Sequence, residues 1–373
     1  MDRVRAAAPQ LAGLAPYDPK YVPADAVMSA NENPLDVGED VRRDIERAIR
    51  KVSLNRYPDP LANELRDMIA EANGLERDWV LVGNGGDELL FDTALAWGGP
   101  GRTFLNLPPT FSVYAANARL TNTAVVDVPR GGAPDFAIDE EAVLAAVGGE
   151  GVAGGASGAG AVGGPVDFTI IASPNNPTGL RASQEFMQRL LSATDALVVA
   201  DEAYFEFSRM TSRPLLEANR NLVLLRTFSK AFSLAGVRLG YILAHPDVIE
   251  EYLKVRQPYS VDAVSQAIGR VVYESRAKFE PGIRSIIEER DRVTEALKVI
   301  PGVRPYPSDS NWVLFSVEDA AEAWEHLYGR GILVRDFSNA PLLEGTLRVT
   351  IGTPGQNDAF LSALRDFCLR KRD

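Results

Sequence analysis

The sequence predicts an α/β protein in which a large domain holds a mostly parallel sheet between helices and a smaller α+β domain follows. Short apolar runs alternate with helical stretches along much of the chain, at residues 79–82, 169–172, 196–200, 221–225 and 239–244. Because these runs lack the in-out alternation of half-exposed strands, they are typical of parallel strands buried on both faces. Beyond Pro301 the pattern changes, which predicts a second unit with its own core.

The helices are predicted from apolar residues that recur at three- and four-residue spacing. Two such stretches lie at 40–52 and 61–72, and Gly74 is the expected C-terminal cap of the second. A long helix is predicted at 281–300, and the domain boundary is expected in or near it. The second unit then combines strands at 312–317, 332–334 and 346–351 with helices at 320–330 and 358–370.

One segment differs from the rest in composition. Residues 148–164 are almost all Gly, Ala, Val and Ser, with Glu150 as the exception. Because such a stretch cannot pack large side chains, we interpret it as a flexible surface loop inserted between elements.

The composition of the 373 residues is that of an ordinary globular protein, with 46% hydrophobic and 24% charged residues. A net charge of −12 argues against binding to nucleic acids or to anionic membrane surfaces. No apolar stretch approaches the roughly 18 residues of a membrane-spanning helix, and the N-terminus lacks the apolar centre of a signal peptide. The single cysteine, Cys368, cannot form an intramolecular disulfide. We therefore expect a cytoplasmic protein.

The first candidate for catalysis is Lys230, which follows a buried strand and stands between Phe228 and Phe232. A single lysine is usually a solvated surface charge. These neighbours, however, would remove water from the amine. Desolvation lowers the pKa of a lysine and so favours the neutral nucleophile that attacks an aldehyde.

Three polar side chains precede this lysine at a strand end or in turns. Asp201 follows the apolar run 196–200, at the edge where open parallel sheets bind ligands. A buried carboxylate there could hold a protonated pyridine nitrogen, or it could equally cap the next turn or pair with a structural arginine. Tyr204 and Asn176 could hydrogen-bond the phenolic oxygen of the same ring, although the Asn-Asn-Pro-Thr-Gly segment around Asn176 by itself indicates only a turn.

A phosphate site is predicted where the glycine-rich segment 83–88 follows a strand and opens a helix. Backbone N–H groups at such a helix start bind phosphate. It is not a dinucleotide fingerprint, because the third glycine of that motif is missing. Further phosphate ligands could come from Thr227, Ser229 and Arg238.

Phe111 could stack on a ring, or could equally be a core residue. Together, these groups match the needs of pyridoxal 5′-phosphate (PLP), whose aldehyde, ring nitrogen and phosphate each require a ligand.

The same residues resemble the signature of the fold-type I PLP-dependent aminotransferases. That signature is Asn-Pro-Thr-Gly at 176–179, Asp-Glu-Ala-Tyr at 201–204, Ser-Lys at 229–230 and Arg238. Within that family the chain is similar, over nearly its whole length, to the histidinol-phosphate aminotransferases, through segments 29–34, 56–59, 226–238, 331–336 and 347–352. The resemblance implies an aspartate aminotransferase-like fold with a seven-stranded sheet. Its large domain would cover 29–258, and its small domain would combine 1–28 and 259–373.

The resemblance also implies a role for each matching residue. Lys230 would form the Schiff base and carry the proton, Asp201 would pair with the ring nitrogen, and Asn176 and Tyr204 would hold the ring oxygen. The implied phosphate ligands are the backbone of Gly85, Gly86 and Asp87, with Thr227, Ser229, Arg238 and, from the neighbouring subunit of a homodimer, Tyr57. Phe111 would face the ring. The implied substrate contacts are Tyr17, Asn33, Tyr57, Asn176, Arg335 and Arg348, the two arginines serving glutamate and the phosphate of histidinol phosphate.

Departures from the family pattern keep the substrate open. Phe111 stands where a tyrosine is usual, and Ser260 and Asp262 replace two asparagines. An aromatic amino-acid aminotransferase, or a PLP decarboxylase of a phosphorylated amino acid such as threonine phosphate, would use the same scaffold. A DNA-binding regulator is not expected, since nothing of useful length precedes Ala15. A metal hydrolase is not expected either, because His245 and His326 lie in no ligand-spaced motif.

Overall fold

The computed structural model describes residues 7–11, 14, 16, 22–149 and 165–371. Tyr17 and most of the predicted insert at 148–164 therefore lie outside the described residues. Across the described ranges no helix is both long and apolar enough to cross a membrane. These ranges contain two sheets and the helices that cover them.

Strands and helices are numbered here in chain order. The strands are β1 (Ala26–Met28), β2 (Val80–Asn84), β3 (Thr103–Asn106), β4 (Ala124–Asp127), β5 (Phe168–Ala172), β6 (Leu197–Asp201), β7 (Leu222–Thr227), β8 (Leu239–Ala244), β9 (Val303–Pro305), β10 (Trp312–Val317), β11 (Ile332–Asp336) and β12 (Thr346–Thr350). The α-helices are α1 (Glu39–Ile49), α2 (Asn63–Asn73), α3 (Gly85–Trp97), α4 (Val113–Leu120), α5 (Glu140–Val147), α6 (Gln184–Ala193), α7 (Phe205–Ser208), α8 (Pro246–Val255), α9 (Ala263–Glu274), α10 (Glu280–Lys298), α11 (Ala320–Tyr328) and α12 (Pro354–Arg370). The predicted elements are all present, with their ends shifted by a few residues.

The larger sheet has seven strands in the order β2-β8-β7-β6-β5-β3-β4. The strands from β4 to β7 run parallel, as the predicted fold class requires. In contrast, β8 runs antiparallel to both β7 and β2. The loop 228–238 between β7 and β8 is too short for the helical crossover that a parallel connection needs. Lys230 lies in this short loop. It therefore stays at the edge of the sheet where β7 ends and β8 begins.

Helices cover both faces of this sheet, which explains why its strands are continuous apolar runs in the sequence. The apolar core on one face includes residues of α2, α5, α6 and α9. The core on the other face includes residues of α3, α4 and α8. In β6, Val198 belongs to the first core and Val199 to the second, and both are fully buried. Alternation along the strand therefore divides its side chains between two cores.

The smaller sheet has five strands in the order β1-β11-β12-β10-β9. β1 pairs in parallel with β11, and the other pairs are antiparallel. α10, α11 and α12 contribute residues such as Ile283, Ala323 and Phe360 to its core. The chain therefore forms the α/β fold with a second α+β unit that the sequence predicts.

The sequence analysis gives two positions for the second domain boundary, one in or near the helix at 281–300 and one, implied by the family resemblance, at residue 259. Val272 and Tyr273 of α9 lie in a core of the large sheet, whereas Ile283 and Ile286 of α10 lie in the core of the small one. We therefore propose that the small domain starts between α9 and α10, and not at residue 259. β1 pairs with β11 of the small sheet, and the first boundary, after residue 28, stays a prediction.

Candidate active site

Neighbouring parallel strands bring the predicted residues to one edge of the large sheet. Ala172, the last residue of β5, lies opposite Asp201, the last residue of β6. β7 is the next strand, and the loop that carries Lys230 leaves its carboxyl end. Open parallel sheets bind ligands at this edge. The loops meet there, since the Lys230 Nζ atom lies 5.7 Å from the centre of the Tyr204 ring.

The Lys230 amine donates one hydrogen bond, to the Ala30 carbonyl at 3.0 Å. Desolvation lowers the pKa of this amine to about 8, and the charge of Arg348 acts in the same direction. The backbone beneath it is held by Asn33, whose Nδ2 donates to the carbonyls of Lys230 at 3.3 Å and Ala231 at 3.2 Å. Lys230 is therefore a readily deprotonated amine on a fixed backbone.

Asp201 is a buried carboxylate with 7% of its surface exposed. Its Oδ1 accepts from the Ala203 backbone N–H at 3.0 Å, and its Oδ2 accepts from the Tyr114 hydroxyl at 2.5 Å. Burial raises the pKa of Asp201 to about 6, and the two hydrogen bonds oppose this rise. None of the described arginines and lysines forms an ion pair with it. Asp201 therefore caps the next turn, which is one of the alternatives given for it in the sequence analysis. Its buried negative charge also requires a cation as a partner.

Tyr204 and Asn176 offer hydrogen-bond donors beside this carboxylate. The Tyr204 hydroxyl accepts from Asn31 Nδ2 at 3.1 Å, which leaves its own proton available. Burial raises the pKa of Tyr204 to about 12, so the hydroxyl stays protonated. Asn176 accepts from Arg348 through Oδ1, and its Nδ2 group remains a donor. Both side chains can therefore donate to a ligand oxygen.

The start of α3 and the side chain of Arg238 form a cradle for an anion. Asn84, which precedes α3, makes no side-chain hydrogen bond to the first turn, so the backbone N–H groups there are open to a ligand. Arg238 donates from Nη2 to Asp87 Oδ2 at 2.9 Å and from Nη1 to Ser229 Oγ at 3.5 Å. Thr227 Oγ1 accepts from the Ser229 N–H at 3.1 Å and donates to the Leu239 carbonyl at 3.2 Å, so the role of Thr227 as a phosphate ligand stays a prediction. Guanidinium, hydroxyl and backbone donors of this kind bind phosphate.

Two glycines permit this close approach. A Cβ atom on Gly85, whose φ is +76°, would lie 2.7 Å from Arg238 Nη2. A Cβ atom on Gly240 in β8 would lie 2.7 Å from the backbone nitrogen of Gly86. A side chain at position 240 would push the start of α3 away from β8, whereas one at position 85 would displace the Arg238 guanidinium and strain a backbone with positive φ.

Arg335 and Arg348 are direct partners on the neighbouring strands β11 and β12. Opposed residues of an antiparallel pair project from the same face, so both guanidinium groups lie on one side of the small sheet. Arg348 is 5% exposed and donates to Asn176 Oδ1 and, at 2.7 Å, to the Ser29 carbonyl. This contact joins the arginine pair to the edge that carries Asp201. A bound anion would reduce the repulsion between the two cations.

Each of the remaining predicted site residues has a different outcome. Phe111 packs edge-on against Tyr114, with ring centres 5.5 Å apart, and its stacking on a ligand stays a prediction. Asn33 uses its amide to hold the lysine loop, so we interpret it as a positioning residue, and its contact with substrate stays a prediction. Tyr57 is 81% exposed and stacks on Tyr259. Tyr17 lies outside the described residues.

The sequence interpretation missed three residues of this site. Tyr114 contacts Asp201, and its position three residues after Phe111 was an available signal. Trp312 packs edge-on against Tyr204, with ring centres 4.5 Å apart. Asn31 bonds to Tyr204 and to Thr350, which lie 173 and 319 residues away along the chain. No local pattern predicts such contacts.

One departure from the family pattern has a local explanation. The Asp262 carboxylate caps α9 by accepting from the N–H groups of Val264 at 2.8 Å and Ser265 at 2.9 Å. Aspartate and asparagine cap helices about equally well. The residue at 262 is therefore accounted for by the start of a helix.

The residues present fit PLP. Asp201 is a buried carboxylate that requires a cation, and a protonated ring nitrogen is one. The Lys230 amine is a nucleophile for the aldehyde, and the cradle of Gly85, Ser229 and Arg238 suits the phosphate. These three groups lie on adjacent loops at a single edge of the sheet.

Similarities to known proteins agree with this fit. The histidinol-phosphate aminotransferase of Thermococcus kodakarensis is 40% identical over 340 residues, which is 91% of this chain and 92% of that protein. The structure of the Sinorhizobium meliloti histidinol-phosphate aminotransferase in complex with PLP is 24% identical, with a TM-score of 0.84 over 100% of this chain and 99% of that chain. The L-threonine-O-3-phosphate decarboxylase of Porphyromonas gingivalis is 26% identical, with a TM-score of 0.74 over 92% and 99%.

These structures confirm the predicted fold class, including the large parallel sheet. The family model described as aminotransferase class I and II matches residues 26–364. The chain therefore belongs to the class I and II aminotransferases.

Proposed function

We propose that this transaminase uses PLP to interconvert L-histidinol phosphate plus 2-oxoglutarate with imidazole-acetol phosphate plus L-glutamate, a step of histidine biosynthesis. The observation that carries the proposal is the Arg335–Arg348 pair, which Asn176 connects to the edge of the large sheet. The 40% identity to a histidinol-phosphate aminotransferase supports it.

The chain's own groups would hold the cofactor at three points. Lys230 would bind its aldehyde carbon, and Asp201 would keep its ring nitrogen protonated. Arg238, Ser229 and the first turn of α3 would hold its phosphate. When bound, PLP supplies an electron sink for the bonds at the substrate Cα.

Proton transfer would then fall to Lys230. Once the substrate amine has displaced it from the aldehyde carbon, the Lys230 amine would take the proton from the substrate Cα. Its lowered pKa, about 8, suits that work, because about a tenth of the amine is then unprotonated at pH 7, far more than for a lysine with the usual pKa of 10.5. Asn176 and Tyr204 would donate to the ring oxygen and fix the tilt of the ring.

One basic pocket would serve both substrates. Histidinol phosphate has no carboxylate, but its phosphate is an anion whose oxygens also match the planar fork of a guanidinium group. Arg348 would bind the α-carboxylate of glutamate. Arg335 and Arg348, together with Tyr17, would face the phosphate of histidinol phosphate in the other half-reaction. A ping-pong mechanism requires this sharing, because the two substrates occupy the pocket in turn.

The direct test uses purified protein loaded with PLP. With L-histidinol phosphate and 2-oxoglutarate, we expect L-glutamate to form in step with the loss of histidinol phosphate. Faster glutamate formation from phenylalanine or tyrosine would favour an aromatic aminotransferase. Release of CO₂ from L-threonine phosphate, with no use of 2-oxoglutarate, would favour the decarboxylase that the Porphyromonas gingivalis structure represents.

Arg335→Ala is expected to raise the KM for histidinol phosphate about ten- to a hundredfold, since it removes charge-assisted hydrogen bonds to a phosphate. The KM for glutamate should change much less, because Arg348 remains. Steady-state kinetics of both half-reactions measure the difference. Arg330→Ala, which removes an exposed arginine paired with Asp366 at 2.9 Å, is the matched control. Equal weakening of the two substrates would contradict the shared pocket.

We further propose a cytoplasmic homodimer whose active sites are shared, with Tyr57 reaching the partner's cofactor phosphate. Tyr57 is 81% exposed, and its hydroxyl has no hydrogen-bond partner within the described parts of the chain, which supports a contact outside this subunit. Its ring is stacked on the half-exposed Tyr259 at 4.6 Å.

A hybrid dimer tests this arrangement. Tyr57→Phe alone is expected to weaken PLP binding about tenfold, from the loss of one charge-assisted hydrogen bond. Mixing Tyr57→Phe subunits with Lys230→Ala subunits should create one site per hybrid with an intact Lys230 and an intact Tyr57. Half of the hybrid's sites should then bind PLP with wild-type affinity. If no such sites form on mixing, Tyr57 does not act across the interface.

A further inference from the structure

The contact between Tyr114 and Asp201 lies just behind the proposed cofactor ring site. Tyr114 is the second residue of α4 and is 2% exposed. Its hydroxyl donates to Asp201 Oδ2 at 2.5 Å, while the Ala203 N–H donates to Oδ1 at 3.0 Å. Both carboxylate oxygens are thereby held, which fixes the plane of the carboxylate. Each oxygen still has a lone pair for a further donor.

The ring of Tyr114 also supports Phe111. The two rings meet edge to face, with centres 5.5 Å apart and an angle of 89° between their planes. The Tyr114 N–H donates to the Phe111 carbonyl at 3.2 Å, so the backbone between them is tight as well. One buried side chain therefore contacts both the proposed partner of the ring nitrogen and the residue predicted to stack on the ring.

We propose that Tyr114 is a positioning residue for the cofactor ring, which orients the Asp201 carboxylate toward the ring nitrogen and supports Phe111 from behind. This inference rests on the proposed use of PLP. Tyr114 touches neither substrate nor cofactor in it, and acts through Asp201 and Phe111. A phenol suits this position, because its hydroxyl reaches the carboxylate while its ring fills the core of the large domain.

The charges around the pair explain why this hydrogen bond matters. Burial favours the neutral form of Asp201, and the carboxylates of Asp87 and Glu202 raise its pKa further. The bond from Tyr114 lowers that pKa and so keeps the carboxylate ionised. Burial and the charge of Asp201 raise the pKa of Tyr114 well above 10, while Arg130 lowers it, so Tyr114 remains the donor.

The test is PLP binding to the apoenzyme, measured by fluorescence titration across a range of pH. Tyr114→Phe keeps the ring and removes the hydroxyl. We expect PLP to bind about ten- to a hundredfold more weakly near neutral pH, the usual effect of a hydrogen bond to a charged group. The pH below which affinity falls should also move upward, because Asp201 without this donor becomes protonated at higher pH. Unchanged affinity and pH profile would overturn the proposal.

Two further variants separate positioning from a general loss of stability. Tyr252→Phe removes a fully buried hydroxyl that contacts Thr93 Oγ1 at 2.7 Å in the same core, and should leave PLP affinity unchanged. In an Asp201→Asn background, Tyr114→Phe should weaken PLP binding much less than in the wild type, since the two residues act as one unit. Full additivity, or an equal loss in Tyr252→Phe, would overturn the role. If the wild-type apoenzyme does not bind PLP at all, the proposed function fails with it.

Discussion

Lys230→Ala is expected to reduce turnover by at least about a thousandfold and to abolish the covalent attachment of PLP. A positioned base alone contributes about 10²–10⁴ to a rate, and this variant also loses the group that binds the aldehyde carbon. Desolvation lowers the pKa of the Lys230 amine from 10.5 to about 8, so no solvated surface lysine can match its neutral fraction near pH 7. The rate at which PLP attaches to the apoenzyme should therefore rise as the pH increases through about 8.

The measurement is borohydride reduction of the loaded protein, followed by digestion and mass spectrometry. In the wild type the label should lie on the peptide that contains Lys230, and in the variant it should be absent. Lys254→Ala is the matched control, since Lys254 is an exposed lysine of α8 that pairs with Glu251 at 2.5 Å. A variant that retains turnover, or a label on another lysine of the wild type, would refute the assignment.

Most of what could be predicted about this site came from patterns within short segments of the sequence. The apolar run that ends at Asp201 predicts a buried strand, and a strand end in an open parallel sheet predicts a position at the ligand-binding edge. The helix start at Gly85 and the lysine loop follow from equally local patterns. In each case, one short segment contains both the structural signal and the functional residue.

Contacts between distant segments could not be predicted in this way. Asn31, a buried residue with a φ of +54°, bonds to Tyr204 and to Thr350. Nothing in the neighbourhood of Asn31 indicates either partner, because the small sheet and the lysine edge are brought together only when both domains fold. The direction of β8 could not be predicted from its own segment either. Its apolar run predicts burial, whereas the length of the preceding loop decides its direction.

The proposed substrate site depends on the least local features. Arg335 and Arg348 are thirteen positions apart in the chain, and their register across β11 and β12 makes them neighbours. That register is set by the pairing of two strands, which a single sequence does not specify in advance. Motifs from a family resemblance supply this information, whereas residue types and spacing alone do not.

Asp201→Asn is expected to reduce turnover about a hundredfold or more, by analogy with the loss of one preorganised electrostatic contact in an active site. The substitution preserves the shape of the side chain and an acceptor oxygen for the Ala203 N–H, and its amide nitrogen would face the Tyr114 hydroxyl, which can accept from it. It removes the negative charge that would keep the ring nitrogen protonated. The loss should therefore appear in kcat, together with a loss of affinity for PLP comparable to that of Tyr114→Phe.

The pH dependence of PLP binding gives a second, independent readout for Asp201. Burial raises the pKa of Asp201 to about 6, so the wild-type apoenzyme should lose affinity for PLP as the pH falls through about 6. Asp201→Asn has no carboxyl to protonate, so this acid limb should shrink to the contribution of the PLP phosphate, whose second pKa is about 6. Asp92→Asn is the matched control, since Asp92 is a buried aspartate of α3 whose pKa burial raises to about 7, and it lies outside the proposed site. Wild-type turnover in Asp201→Asn, or an acid limb as large as that of the wild type, would mean that another group holds the ring nitrogen.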